Sequence, residues 1–178
     1  MIIAVAAPSA SGKTTIVNKV MDITGIRRLK TCTTRAKRPE EVGDEYYFMS
    51  RNEFELGIML RKFVEFNEVF GNYYGLTYEE VESDGDSIII QDIDGVHTLK
   101  SKFPEFVNSV FIMPPPKEEL RKRLVGRNTG NLDDIELRLD RVDKEVLDAG
   151  WFDYRVEYGE LDVMVGEFVE LTRMLTAK

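Results

Sequence analysis

The chain has 178 residues, of which 43% are hydrophobic and 31% charged, and this length and composition fit one globular domain. Its net charge of −8 argues against a surface that coats nucleic acid, and no apolar run approaches the roughly 20 residues of a membrane span. A single cysteine, Cys32, excludes an internal disulfide and suits a cytoplasmic protein, while a single histidine, His97, is a poor basis for a catalytic triad or a His-rich metal site.

The chain begins with the apolar run MIIAVAA, which is typical of a buried strand and lacks the basic start of a secretory signal. AAPSASGKTT follows, and then an amphipathic pattern that predicts a helix over Lys13–Thr24. Gly12, Lys13 and Thr14 complete the pattern G-x-x-x-x-G-K-[ST], but Ala7 stands at its first glycine. Because alanine tolerates any ordinary negative φ, we interpret Ala7 as a permitted variant of a P-loop.

A P-loop binds phosphates through backbone N–H groups at the start of a helix, where the partial positive charge lies. In this pattern Lys13 reaches the β- and γ-phosphates, and the hydroxyl of Thr14 binds Mg²⁺. The loop therefore predicts ATP as a ligand. Its predicted ATP-binding residues are Ser9, Ala10, Ser11, Gly12, Lys13, Thr14 and Thr15.

Residues 34–85 interrupt the alternation of strands and helices with short alternating or aromatic segments, and predict a small β-rich insert. Residues 27–38 hold six Lys or Arg and no acid, a cluster that can attract a small anion. One arginine can donate two hydrogen bonds to phosphate oxygens, and a tyrosine hydroxyl can donate another. The arginines and tyrosines in this part of the chain are therefore a possible binding site for a monophosphate. Glu65, among apolar neighbours, is either a buried acceptor for paired N–H donors or an outward-facing strand residue.

Beyond the insert, 87–93 and 108–114 read as buried strands, and 133–147 and 162–175 as amphipathic helices. The polar stretch 127–134 predicts the tip of a lid. Asp92 ends the first of these strands, where a Mg²⁺ ligand is expected; the alternative is a helix cap, for which Asp94 is the better candidate. We expect an α/β fold of the P-loop NTPase type: a parallel sheet flanked by helices, with a small β-rich insert and a helical lid.

Together, TTRAKRPE and VFGNYYG, with the P-loop, resemble the guanylate kinase family from about residue 3 to residue 175. The resemblance implies one domain over 1–178, with a core of about 1–33 and 86–178, a small β-rich NMP-binding insert of about 34–85 and a lid of about 121–140. It also implies that Glu65 accepts hydrogen bonds from guanine and that Asp92 or Asp94 lies near the base and Mg²⁺. Arg127 and Arg138 match lid arginines that close on the ATP phosphates. Residues implied at the GMP phosphate are Thr31, Arg35, Arg38, Tyr46 and Tyr74.

Two departures from the family pattern affect the bases. Leu76 replaces the Ser or Thr that contacts the guanine carbonyl, so that Thr77, a backbone N–H or a water would have to substitute. Tyr158 stands where the family has an Asn near the adenine. These departures leave open a kinase for a pyrimidine or modified deoxynucleotide, and a non-catalytic binding module is a further alternative.

The resulting prediction is a nucleoside monophosphate kinase that makes GDP or dGDP from GMP or dGMP, with ATP and Mg²⁺. Lys13, Arg127 and Arg138 are its predicted catalytic residues. Its predicted partners are nucleotides, with no nucleic acid and no membrane, and the sequence leaves monomer and homodimer open.

Overall fold

A computed structural model of the chain describes residues 1–37, 46–126 and 132–177. The elements in chain order are β1 (Ile2–Ala6), α1 (Lys13–Thr24), β2 (Arg27–Arg28), β3 (Thr31–Thr33), β4 (Tyr46–Phe48), α2 (Arg51–Met59), β5 (Phe63–Val69), β6 (Asn72–Thr77), α3 (Tyr78–Val81), β7 (Ser87–Ile90), α4 (Ile93–Lys102), β8 (Val107–Ile112), α5 (Lys117–Gly126), α6 (Leu132–Asp148), the 3₁₀ turn Ala149–Trp151, β9 (Tyr154–Val156) and α7 (Leu161–Thr176).

Five strands form a parallel sheet in the order β2-β7-β1-β8-β9. Every residue of β1 and β7 is buried, which explains why these strands lack an alternating pattern. Apolar side chains cover both faces of the sheet: α1 and α7 pack on one face, and α4 packs on the other. Since parallel strands end at one edge, the loop after β1 and the residues after β7 lie side by side. The predicted P-loop α/β fold is confirmed.

A second sheet, in the order β4-β3-β6-β5, contains the antiparallel hairpin β5–β6. Its first strand along the chain is β3, which begins at Thr31 and pairs with β4 and β6. Two of its side chains, Val64 and Leu76, pack in the cluster that covers one face of the parallel sheet. The second sheet is therefore anchored to the core by apolar contacts.

Helix α2 crosses this second sheet and was not predicted. Its N-terminus is a capping box: the Ser50 hydroxyl accepts from the Glu53 N–H, and the Glu53 carboxylate accepts from the Ser50 N–H. The sequence SRNE carries that signature, so this helix start was readable from the chain. Phe54 is the fully buried anchor of the helix and stacks on Phe63 of β5 at a ring-centroid distance of 4.3 Å.

Gly75 permits the close approach of α2 to the second sheet. A Cβ at this position would lie 2.9 Å from Phe54 and from Phe63, and 3.1 Å from the Glu65 carbonyl oxygen. We expect Gly75→Ala to lower the free energy of unfolding by about 1–3 kcal/mol, because this tightly packed site would be overfilled. Urea titration measures this change in the free energy of unfolding. Gly166→Ala is the matched control: a Cβ there meets nothing within 4 Å, so the helix propensity of alanine should stabilise α7 by up to about 1 kcal/mol. Equal effects of the two substitutions would contradict this account.

Helices α5 and α6 pack together through Leu120, Leu124, Ile135, Leu139 and Val142, and the same cluster includes Ala10 of the loop after β1. These two helices contain the described parts of the predicted lid, whose middle, 127–131, lies outside the described residues. None of the helices in the described ranges is long and apolar enough to cross a membrane.

Candidate active site

The loop from Ala7 to Gly12 joins β1 to α1 as a phosphate-binding motif requires. Ala10 and Gly12 have positive φ values of 64° and 91°, and Gly12 is the N-cap of α1. The Ser11 hydroxyl donates a hydrogen bond to the Pro8 carbonyl at 2.7 Å. Left-handed residues turn successive N–H groups toward one concave side, where they can bind an anion. A cavity of about 170 Å³ lies there, lined by Pro8, Ser9, Ala10, Ser11, Gly12, Lys13, Thr14, Thr15, Leu124 and Arg138.

Ala7 is not a strained position in this loop. Among the described non-glycine residues, only Ala10, Arg61 and Phe70 have positive φ, so Ala7 keeps an ordinary backbone conformation. Its methyl group packs against the core under α1. The alanine in place of the first motif glycine is therefore compatible with the loop, and the unusual conformation falls on Ala10 instead.

Lys13 lies between the ends of two neighbouring strands. Its Nζ donates to the Ala7 carbonyl at 3.3 Å and to the Gln91 carbonyl at 3.2 Å. Burial lowers the pKa of Lys13 to about 8, against an opposing effect of the carboxylates of Asp92 and Glu145. Removal from water is thus the dominant influence on this ammonium group, and an anion in the adjacent cavity would favour its charged form.

Two arginines reach the phosphate loop from the lid helices. Arg123 of α5 donates to the Ala10 carbonyl at 3.4 Å, and Arg138 of α6 donates to the Ser9 hydroxyl at 3.3 Å. Arg138 is the predicted residue, whereas Arg123, four residues before the predicted Arg127, was missed. Arg127 itself lies outside the described residues. Cationic side chains therefore reach the loop from both helices of the α5–α6 pair.

A second cavity, of about 640 Å³, lies between the parallel sheet, the second sheet and α6. This volume is within the usual range for small-molecule sites. Its lining includes Ser9, Lys13, Thr14 and Arg138, so it is continuous with the phosphate loop. The other residues that line it are Ala7, Thr31, Arg35, Tyr46, Glu65, Asn67, Glu68, Val69, Phe70, Asn72, Tyr74, Gly75, Ile90, Gln91, Asp92, Ile93, Asp94, Arg141, Lys144, Glu145 and Asp148.

One wall of this cavity carries an arginine and two tyrosines. The Arg35 guanidinium lies 5.4 Å from the Tyr46 ring centroid, and the Tyr46 and Tyr74 rings meet edge to face at 6.3 Å. Thr31, at the start of β3, is buried beside them. Four of the five residues predicted at the acceptor phosphate thus line one cavity; the fifth, Arg38, lies outside the described residues.

Glu65 is a buried carboxyl in the wall of the same cavity, with only 7% of its surface exposed. Burial raises its pKa to about 7, and the nearby Asp92 adds to the rise. The Leu76 N–H, the Lys102 ammonium and the Gln91 amide oppose it by favouring the ionised form. The interpretation of Glu65 as an outward-facing strand residue is therefore wrong, because desolvation and polar partners surround it instead of water.

Asp92, and not Asp94, caps α4, so the preference for Asp94 as the cap was wrong. One Asp92 oxygen accepts from the Gly95 N–H at 2.7 Å and from the Asn67 amide at 3.2 Å. Thr14 is exposed at the phosphate loop and lines the same cavity as Asp92. Mg²⁺ commonly takes one or two protein oxygens beside substrate phosphates, so this pair fits such an ion. Among residues 1–37, 46–126 and 132–177, no three acidic, Cys or His side chains form a metal-binding group.

Three residues singled out from the sequence lie away from both cavities. The Leu76 side chain is fully buried in the core, and only its backbone N–H reaches Glu65. The Thr77 hydroxyl caps α3 by accepting from the Glu80 N–H. Tyr158 is 46% exposed and lines neither cavity. The Leu76 and Thr77 side chains are therefore engaged in packing and capping.

Phe70, whose contacts no sequence pattern indicated, connects the second sheet to α6. It forms the two-residue hairpin turn with Gly71, where both φ values are positive, 50° and 76°. An aromatic residue rarely adopts this conformation. The ring lies 4.1 Å from the Arg138 guanidinium and 4.7 Å from that of Arg141. The hairpin tip thus meets α6 across the larger cavity.

Comparison with known proteins agrees with this architecture. The family model for guanylate kinase matches residues 1–177. A guanylate kinase of Symbiobacterium thermophilum is 40% identical over 94% of this chain and 82% of its own length. One of Bdellovibrio bacteriovorus is 37% identical over 98% of this chain and 97% of its own. The crystal structure of guanylate kinase from Anaplasma phagocytophilum superposes with a TM-score of 0.79 at 27% identity, covering 100% of this chain and 87% of that one. The chain belongs to the guanylate kinase family.

Proposed function

We propose that this protein transfers the γ-phosphoryl group of ATP to GMP, and to dGMP, releasing ADP and GDP or dGDP. The observation that carries the proposal is the continuity of the two cavities. Ser9, Lys13, Thr14 and Arg138 line both, so a donor phosphate at the loop and an acceptor phosphate in the larger cavity would meet at these residues. Membership of the guanylate kinase family supports GMP as the acceptor and this phosphotransferase chemistry, and nothing in the comparisons favours a pyrimidine kinase or a binding module.

At the donor end, the N–H groups of the loop bind the ATP phosphates and Lys13 stabilises the charge on the transferred group. Thr14, with Asp92 in the lining of the same cavity, would hold Mg²⁺, and the ion would supply further positive charge beside the donor phosphates. Arg138 and Arg127 close on the ATP phosphates, and we add Arg123 because it contacts the same loop. A concentration of fixed positive charge is what phosphoryl transfer requires, since the reaction depends mainly on positioning and electrostatics.

At the acceptor end, Arg35, Arg38, Tyr46, Tyr74 and Thr31 hold the GMP phosphate, and Glu65 accepts from the guanine edge. The second pKa of a phosphate monoester is about 6, so the attacking phosphate is largely dianionic at neutral pH. It needs no general base. The work of the site is instead to reduce repulsion between two anions and to exclude water, which would otherwise take the phosphoryl group.

A turnover panel tests this function directly. ATP and Mg²⁺ are supplied with each common ribo- and deoxynucleoside monophosphate in turn, and ADP formation is followed. GMP and dGMP should show the highest kcat/KM, while AMP should be rejected because its N1 faces a carboxylate with no hydrogen to donate. A higher kcat/KM for a pyrimidine monophosphate would overturn guanine as the acceptor base, and no ADP formation with any acceptor would overturn the kinase.

Arg138→Ala should lower kcat by about 10²-fold, because the guanidinium is assigned to charge on the donor phosphates. The KM for GMP should change by less than about threefold. Initial rates at saturating ATP and varied GMP measure both constants. Arg141→Ala is the matched control: it lies on the same helix and contacts Phe70, but it lines only the larger cavity, so its kcat loss should be much smaller. A rise in KM for GMP with kcat retained in Arg138→Ala would contradict the donor assignment.

The cytoplasm is the proposed location, since the substrates are cytoplasmic nucleotides and the single thiol, Cys32, is free and buried. Nucleotides are the proposed partners, with neither nucleic acid nor membrane.

A further inference from the structure

Gln91 carries a buried side-chain amide in the wall of the larger cavity, at the end where the guanine base is proposed to bind. It follows β7, is 8% exposed and lines the cavity beside Glu65. Its Nε2 donates a short hydrogen bond to Glu65 Oε1. Because an ionised carboxylate can only accept hydrogen bonds, this contact fixes the orientation of the Gln91 amide when Glu65 is charged.

The other end of this amide is unsatisfied. Gln91 Oε1 is buried and has no hydrogen-bond partner among the residues described. Leaving such an acceptor unpaired is unfavourable, because it has lost its hydrogen bonds to water and gained none within the protein. The cost is recovered when a molecule in the cavity offers an N–H to this oxygen, so a buried, unpaired carbonyl oxygen in the wall of a binding cavity points to a ligand with a donor there.

The neighbouring polar groups likewise leave oxygen acceptors available to a ligand. The Asn67 amide donates to Asp92, so its donor is also used on a carboxylate. What this end of the cavity then offers a ligand is oxygen acceptors: Glu65, Asp92 and Gln91 Oε1. The edge of guanine that carries N1–H and the 2-amino group has three N–H donors, and two of them suffice for Glu65. One amino hydrogen therefore remains for a further acceptor.

We propose that Gln91 is a specificity-determining residue for the acceptor base: its Nε2 orients Glu65, and its Oε1 accepts a hydrogen bond from the 2-amino group of guanine. This inference rests on the proposed phosphorylation of GMP. It makes the 2-amino group, which inosine monophosphate (IMP) lacks, a group that this amide recognises.

Gln91→Met tests the proposal, because methionine keeps the approximate volume and removes both polar atoms. We expect kcat/KM for GMP to fall about 10- to 100-fold, mainly through KM. IMP has no amino group to lose, so its kcat/KM should fall less and the GMP-to-IMP ratio should shrink at least about fivefold. Val96→Ala is the control, since Val96 packs in the neighbouring core without lining the cavity. It should lower stability and leave the ratio unchanged.

A crystal structure of the unmutated protein with GMP provides a second measurement that does not depend on how the variant folds. Gln91 Oε1 should lie within about 3.2 Å of the base amino nitrogen. A distance above about 4 Å, or a GMP-to-IMP ratio in Gln91→Met equal to that of the unmutated enzyme, would overturn the role of Gln91. Absence of GMP phosphorylation by the unmutated protein would instead overturn the proposed function.

Discussion

Lys13→Ala should lower kcat for GMP phosphorylation by about 10²-fold or more. Lys13 Nζ lies between the strand ends that border the phosphate loop, where it donates to the Ala7 and Gln91 carbonyls. Burial lowers its pKa to about 8, so the enclosed ammonium interacts strongly with any charge placed beside it. Loss of one preorganised electrostatic donor typically costs about 3–4 kcal/mol of transition-state stabilisation, which corresponds to this rate effect. Steady-state rates at saturating GMP and ATP measure it.

Two controls separate this effect from a loss of structure. Lys19→Ala removes an exposed lysine from the same helix and should leave kcat within about twofold of the unmutated value. Thermal unfolding of Lys13→Ala should show a cooperative transition, because removing a partly desolvated charge offsets the loss of two hydrogen bonds. A folded Lys13→Ala protein with near-normal kcat would remove the P-loop assignment.

Glu65→Gln should stabilise the protein at pH 8 and impair GMP recognition at the same time. The pKa of Glu65 is about 7 in the folded protein, above its ordinary value of 4.5. Between these values the folded state binds more protons than the unfolded state, so the free energy of unfolding falls as pH rises from about 4.5 to 7. The full difference is about 3 kcal/mol. A glutamine at position 65 does not ionise and so carries no such penalty, and its amide can donate a hydrogen bond to the side-chain oxygen Oε1 of Gln91.

Urea unfolding at pH 5 and at pH 8 tests the stability effect. The gain from Glu65→Gln should be present at pH 8 and nearly absent at pH 5, whereas Glu167→Gln, an exposed change on α7, should have no comparable effect. In the same variant, kcat/KM for GMP should fall about 10²-fold, and discrimination between GMP and AMP should decrease, because the amide no longer accepts from both guanine donors. Equal stability gains at both pH values would contradict the raised pKa.

Local patterns predicted the parts of the site that are continuous in sequence. The strand, loop and helix around Lys13 follow from an apolar run, a motif and an amphipathic period, and the predicted helix bounds, Lys13–Thr24, agree with the structure. The acceptor residues Arg35, Tyr46, Glu65 and Tyr74 came from a resemblance and do line one cavity. Helix α2 was missed because the aromatic alternation around it outweighed the capping signal at Ser50.

Contacts between distant segments were not predictable in this way. The Phe70 ring meets Arg138 only because the hairpin tip and α6 face each other across a cleft, which no periodicity encodes. The role of Gln91 depends on the parallel register that places the end of β7 beside β1 and near Glu65. Leu76 was interpreted as a change in base recognition because the family pattern has Ser or Thr at its position. Its side chain is instead buried in the core.

The packing of Val64 and Leu76 in the core restricts how this enzyme can change its substrate. Val64 precedes Glu65 in the chain and Leu76 lies opposite Glu65 in the hairpin register, yet both side chains also stabilise the main fold. Truncating a buried leucine costs about 2–5 kcal/mol, a large part of the 5–15 kcal/mol that holds a typical domain folded. Substitutions at these two positions can therefore change the base preference only in variants that are stable enough to tolerate the loss of core packing. Adaptation is directed to Gln91 and Asn67, whose side chains line the cavity and can vary without opening a void in the main core.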